Sequence, residues 1–348
     1  MILRIRVFAL KIKIMITNNR KQGTIKVLRH ESEILKNNSL GDDYIRDLIV
    51  YLPPDYDENK SYPTVYCLTG FTGRGKMLLN DNAFSPDLAE RMDKLISENK
   101  IKPMIVVMPD CFTHYGGSQY INSSATGDYE VYLTKEIVPF VDAEFRTIND
   151  KNSRAVMGKS SGGYGALIMA MRHSDIFGLA CSTSGDCYFN YCYLPDFPKA
   201  FRAIKGNPKK LVEKMWNEEA KKGKDDFAAL NIIGMSACYS PNRDSEFGFD
   251  LPFDLETGEI ISDVLVRWMK HDPVFLVERY AENLKTLKLL YIDAGTKDEF
   301  YLDLGAKILC EKLKDFDIPH IHEEFDDGHM KISYRYNRSL ELISENVQ

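Results

Sequence analysis

Residues 154–172, RAVMGKSSGGYGALIMAMR, constrain the fold more than any other stretch of this chain. An apolar run leads into Gly158-Lys159-Ser160-Ser161-Gly162, and a second apolar run with helical spacing follows. A buried strand therefore turns through a glycine-flanked serine into a helix. The pattern G-x-S-x-G needs small residues two before and two after the serine, because the chain bends sharply there and larger flanks collide. Gly158 and Gly162 fill those places around Ser160. Ser161 is out of register, since Lys159 would then occupy a small-residue position. Gly163 and Gly165 allow the helix to approach the sheet, and the helix N-terminus favours developing negative charge. The competing reading is an ordinary glycine-rich turn. A phosphate loop fits less well, because no G-x-x-x-x-G-K-[ST] string is present.

Strand-like and helical segments alternate around this corner, as expected of an α/β fold. YIRDLIVYL (44–52) and TVYCLTG (64–70) read as strands, and Ser85-Pro86 as a helix start. PMIVVMPD (103–110) reads as a central parallel strand covered on both faces. A helix is expected over Tyr129 to Phe145, and a strand over GLACSTSG (178–185). The rhythm breaks from residue 186 to about 270, where a charged helical stretch (Asn207 to Phe227) precedes an irregular region with Pro241, Gly248, Pro252 and Gly258. It resumes with LKLLYIDAG (287–295), a helix from Phe300 to Phe316, the strand PHIHEEF (319–325) and a closing helix. The expectation is one doubly wound, mostly parallel sheet built from residues 21–185 and 271–348, interrupted by an inserted lid over 186–270. Tyr188, Phe189, Tyr191, Trp216 and Trp268 are expected either to form that insertion's own core or to line an apolar pocket beneath it.

A chain of 348 residues can bury a substantial core. Its net charge of −6 argues against a nucleic-acid partner. No uncharged apolar stretch reaches the roughly 18–20 residues of a membrane span. Residues 1–20 form a basic extension, read as a guarded edge strand or as sequence upstream of a start at Met15. Lys11 and Lys13 interrupt its apolar run, so it is not read as a secretory leader. The seven cysteines, Cys67, Cys111, Cys181, Cys187, Cys192, Cys238 and Cys310, lack paired spacing and read as buried apolar residues of a cytoplasmic protein, with no metal site.

A serine hydroxyl needs a base, and the base needs an orienting group. In hydrolase sheets of this kind the order is serine, acid, histidine, with the partners in loops after later strands. Asp298 follows LLYIDAG and His329 follows IHEEF, which makes them the candidate acid and base. Glu299 is an alternative acid. Asp293 belongs to the strand, Asp326 and Asp327 read as turn formers, and His320 and His322 alternate within a strand. An oxyanion site needs two backbone N–H groups. Ser161 supplies one candidate and Phe71, in Thr69-Gly70-Phe71-Thr72-Gly73, the other.

These residues resemble the esterase D family of α/β-hydrolases, which takes in S-formylglutathione hydrolases, feruloyl and acetylxylan esterases, enterochelin-esterase-like enzymes and mycolyltransferases. The similarity is carried, in order, by IVYLPPDYD (49–57), YPTVYCLTGFTG (62–73), VVMPD (106–110), YINSSATGDYEVYLTKEIVPFVDAEFRT (120–147), MGKSSGGYGAL (157–167), IDAGTKDEF (292–300) and DDGHMKISY (326–334). It implies an α/β-hydrolase fold and cofactor-free serine carboxylesterase chemistry on a small-molecule ester, with an aromatic, feruloyl-type acyl group among the candidates. Acyl transfer to another acceptor, or opening of a lactone or thioester, would use the same three residues. A non-catalytic binding protein is the remaining reading. Two departures stand out: Thr69-Gly70 replaces the His-Gly pair of many relatives, and segment 186–270 matches none of them.

Overall fold

The computed structural model of the protein describes residues 21–348, so the basic extension over 1–20 lies outside the described residues. Eight strands form the main sheet: β1 (Thr24–Glu31), β2 (Ile45–Leu52), β3 (Thr64–Leu68), β4 (Ile105–Met108), β5 (Arg154–Lys159), β6 (Leu179–Thr183), β7 (Leu289–Gly295) and β8 (Ile321–Phe325). Their spatial order is β1-β2-β4-β3-β5-β6-β7-β8. β2 runs antiparallel to both of its neighbours, and every pairing from β4 to β8 is parallel. The central strands read as unbroken apolar runs because both of their faces are covered. Helices Leu88–Ser97 and Tyr336–Asn346 pack on one face. Helices Ser161–Arg172, Pro273–Lys285 and Leu302–Asp315 pack on the other. This is the doubly wound α/β-hydrolase arrangement.

Three local expectations change. The first surface helix starts at Leu88 rather than beside Ser85, because Asp87 and Glu90 form a reciprocal capping box with bonds of 2.8 and 3.1 Å. The edge strand β1 is new, paired with β2 along its whole length. The charged stretch expected as one helix over Asn207 to Phe227 breaks after Trp216, and a sixteen-residue helix, Lys224–Tyr239, runs into the region read as irregular. Residues Ala229 to Tyr239 of that helix are buried at almost every position, so they carry no one-sided periodicity to signal a helix.

The segment between β6 and β7 is helical and is not a separate globule. Phe189, Tyr193, Phe197, Tyr239, Phe249, Phe253 and Trp268 belong to the same buried cluster as the residues beneath the sheet. Phe189 and Trp268 are fully buried, while Tyr191 and Trp216 are 42% and 45% exposed, so the five aromatics divide between packing and surface. All seven cysteines are buried with unpaired thiols. No helix among the described residues is long and apolar enough to cross a membrane.

Asp272 fastens the insertion to the frame. It is fully buried, caps helix Pro273–Lys285 through Val274 N–H at 3.0 Å, and also accepts from Tyr188 N–H at 3.0 Å and Phe189 N–H at 2.6 Å. Asp272→Ala leaves three backbone donors without an acceptor and is expected to cost about 3 kcal/mol, read as a lowered denaturation midpoint with an unchanged slope.

Candidate active site

Ser160 sits at the corner between β5 and helix Ser161–Arg172 with φ 59° and ψ −129°, a left-handed conformation that costs a non-glycine residue energy. The turn closes only because its flanks lack side chains. A Cβ on Gly158 would lie 2.4 Å from the Gly162 carbonyl carbon, and one on Gly162 would lie 2.2 Å from the Leu68 carbonyl oxygen. Ser160 N–H donates to the Thr183 carbonyl at 3.0 Å, which ties the corner to β6.

His329 and Asp298 reach the same corner from loops after β8 and β7. His329 Nδ1 lies 2.8 Å from Asp298 Oδ2, and His329 Nε2 lies 3.0 Å from Ser160 Oγ. A carboxylate can only accept, so Nδ1 carries the proton and Nε2 is left to accept from the serine hydroxyl. The Asp298 side chain is fully enclosed, and its second oxygen accepts from Phe300 N–H at 2.9 Å. Glu299, the alternative acid, is turned elsewhere: its Oε2 accepts the backbone N–H of His329 at 2.6 Å. Lys297 N–H donates to the Asp327 carbonyl at 3.0 Å, so the loops that carry Asp298 and His329 are bonded to each other directly. The Phe300 ring meets the imidazole edge-on at 4.9 Å.

The loop after β3 comes up against the serine. A Cβ on Gly70 would lie 3.3 Å from Ser160 Cβ. Thr69, which stands where many relatives carry histidine, donates from Oγ1 to the Gly73 carbonyl at 2.9 Å, and its own carbonyl accepts from Tyr120 Oη at 2.6 Å. Thr72 N–H is used by the Gly116 carbonyl at 2.7 Å, whereas the N–H groups of Phe71 and Ser161 donate to nothing among the described residues. The Phe71 ring lies over Gly116 and against Gly234, where an added Cβ would come within 2.6 and 2.9 Å of it, and meets Phe227 edge-on at 5.9 Å.

Charge around the corner is uneven. Lys159 is half-buried, and burial lowers its pKa against the opposing pull of Asp298, Asp186 and Glu299. Asp186, buried next to Ser161, has its carboxyl pKa raised by burial, against the effect of hydroxyl donors from Tyr193 and Ser161. Neither Asp186 nor its neighbour Gln119 is singled out by sequence pattern, because they belong to no motif and meet only through the fold. The paired left-handed residues Gln119 (φ 50°) and Tyr120 (φ 55°) are likewise invisible to it.

The family model described as "Putative esterase" matches residues 38–315, most of the chain. The chain belongs to that esterase family. A stretch of 165 residues, 45% of the chain, is 30% identical to the endo-1,4-beta-xylanase/feruloyl esterase of Xylanibacter ruminicola, of which it covers 21%. Another of 140 residues, 39% of the chain, is 35% identical to an esterase of Mycobacterium tuberculosis, of which it covers 28%. The chain thus spans less than a third of these curated relatives. Among solved structures, a ferulic acid esterase superposes with TM-score 0.62 at 19% identity, over 93% of this chain and 99% of the other. The S-formylglutathione hydrolase of Agrobacterium tumefaciens gives 0.57 at 17% identity, over 95% and 98%. Such likeness places this family member in the α/β-hydrolase fold.

Two glycine substitutions separate the corner from the surface. Gly162→Ala pushes a methyl group into the Leu68 carbonyl and is expected to cost 3 kcal/mol or more, roughly the upper end for overpacking. Gly223→Ala meets only the Asp226 carboxylate at 3.7 Å and is expected to leave the thermal midpoint within about 2 °C, the scale of a surface change.

Proposed function

We propose that this esterase-family member hydrolyses carboxylic esters through an acyl-enzyme on Ser160. The observation that carries the reading is the hydrogen-bonded chain from Ser160 Oγ through both ring nitrogens of His329 to Asp298, at 3.0 and 2.8 Å. Ser160 Oγ attacks the ester carbonyl while His329 Nε2 takes its proton. The C–O bond to the alcohol then breaks, and the imidazolium returns the proton to the leaving oxygen. Water repeats the sequence on the acyl-enzyme, releasing the acid and restoring the serine. Asp298 holds the imidazole with Nε2 facing the serine and stabilises its cationic form. The tetrahedral oxyanion takes the unspent N–H groups of Phe71 and Ser161, whose positions are already fixed before the charge develops.

The acyl group favoured by the surroundings is small or aromatic. Phe300 stands against the catalytic imidazole, and Phe71 against Phe227 of the insertion. The names of the relatives, feruloyl esterase and S-formylglutathione hydrolase, include one aromatic and one very small acyl group. Segment 186–270 serves as the lid in this reading, because its helix Lys224–Tyr239 packs on the Phe71 ring through Gly234.

Turnover of p-nitrophenyl acetate and of methyl ferulate tests the assignment. Ser160→Ala is expected to lower kcat by about 10³ or more and to abolish labelling by a fluorophosphonate, with the unfolding transition unchanged. Retention of ester turnover in that variant would falsify the reading. Asp298→Asn leaves the imidazole free to adopt the wrong tautomer and is expected to cost ~10⁴ in kcat. Glu299→Ala removes one bond to the backbone of the loop that carries His329 and is expected to cost no more than about tenfold. The reverse ranking would move the orienting role to Glu299.

A further inference from the structure

Beside the nucleophile lies a buried polar cluster that the proton-transfer chain does not use. Asp186 Oδ2 accepts from Ser161 Oγ at 2.9 Å and from Tyr193 Oη at 2.9 Å, with Gln119 Nε2 at 3.2 Å. The same Gln119 nitrogen donates to Tyr239 Oη at 3.0 Å. Asp186, Gln119 and Ser161 are 6%, 1% and 3% exposed, and Asp186 has no ion pair within 4 Å among the described residues. An enclosed carboxylate held only by neutral donors is expensive to keep. Gln119 adds to that cost, because its backbone is left-handed and its Oε1 is buried without a partner among the described residues. Such a cluster is a poor source of stability, since an apolar replacement of the same shape would cost less.

Its position suggests what it does instead. Ser161 opens the helix that follows the nucleophile, so its N–H has no intrahelical acceptor to orient it. The peptide that carries this N–H is held on its carbonyl side, where Ser160 O accepts from Tyr164 N–H at 2.9 Å, and the Ser161 side chain, bonded to Asp186, adds a second fastening. Two of the groups around the carboxylate, Tyr193 and Tyr239, come from the inserted segment. We propose that Asp186 is a positioning residue, which through Ser161 Oγ holds one oxyanion-site N–H in place and, through Tyr193 and Gln119, makes the insertion part of that fixture. The proposal rests on the acyl-enzyme reading above, because a held N–H matters only if an oxyanion forms at Ser160.

The test compares Ser161→Ala, Asp186→Ala, Asp186→Asn and the double alanine variant with the unaltered protein and with Ser160→Ala, on p-nitrophenyl acetate. Loosening a donor is expected to cost less than deleting one, so Ser161→Ala and Asp186→Ala should each lower kcat by about 10- to 50-fold with KM within about twofold. Inhibition by an aryl trifluoromethyl ketone, whose adduct on Ser160 places an oxyanion in the same site, should weaken by the same factor. The double variant should be no slower than the worse single one, since both act along one route. Asp186→Asn keeps an oxygen acceptor for Ser161 and Tyr193 and should recover most of the rate. The proposal is overturned if Ser161→Ala retains kcat within twofold, if the loss falls on KM alone, or if the two losses multiply. Ser161→Ala removes one small group, so it decides the matter even if Asp186→Ala does not fold. An unaltered protein that neither turns over ester nor takes a fluorophosphonate would overturn the acyl-enzyme reading and this proposal together. An active protein indifferent to Ser161→Ala would overturn this proposal alone.

Discussion

The contact on which the site depends is backbone against backbone. Where β5 ends, Gly158 faces Gly162 and Gly162 faces the Leu68 carbonyl, with no room for a methyl group at either position. That closeness forces Ser160 into a left-handed conformation and presents its hydroxyl beyond the sheet edge rather than within it. It also brings β3 near enough for its following loop to meet the serine at Gly70. One steric requirement therefore fixes the hydroxyl and sets the loop bearing Phe71 beside it.

The partners of that hydroxyl arrive from the far half of the chain, and their alignment is shared between two loops. The loop after β7 supplies Asp298 to the imidazole ring and Glu299 to the backbone of the same histidine. Adjacent carboxylates thus divide the work: one acts on the proton-carrying nitrogen, the other on the peptide that carries the ring. The bond from Lys297 N–H to the Asp327 carbonyl completes the attachment. Because β7 and β8 are parallel neighbours in the sheet, both loops leave the same edge and meet without a long excursion.

Much of this was legible in the sequence, for identifiable reasons. The corner could be read because its steric demand leaves glycines at fixed offsets from Ser160. The central parallel strands could be recognised because burial on both faces makes them continuous apolar runs. Asp298 and His329 could be placed because chain order and strand ends limit where the partners of a serine can lie. The insertion was opaque for the opposite reason. Helix Lys224–Tyr239 is buried nearly all round over its second half, so no stripe marks it. Asp186 and Gln119 stand 67 positions apart, and nothing local in either stretch announces that they meet. The division of Asp298 and Glu299 was equally unreadable, since neighbours of like chemistry are told apart only by the direction in which the turn points them.

The merging of segment 186–270 with the central hydrophobic cluster has a consequence for how such a molecule can diversify. Tyr193, Phe197, Tyr239 and Trp268 share one interior with the residues beneath the sheet, and Asp272 rivets the segment's first turn to the frame. A segment rooted this way does not swing as a hinged door, and it cannot be traded wholesale for another without rebuilding the interior it shares. Exchanges are then accommodated mainly at its exposed side chains, such as Tyr191, Trp216 and Phe227, while the inner aromatics stay fixed as foundation.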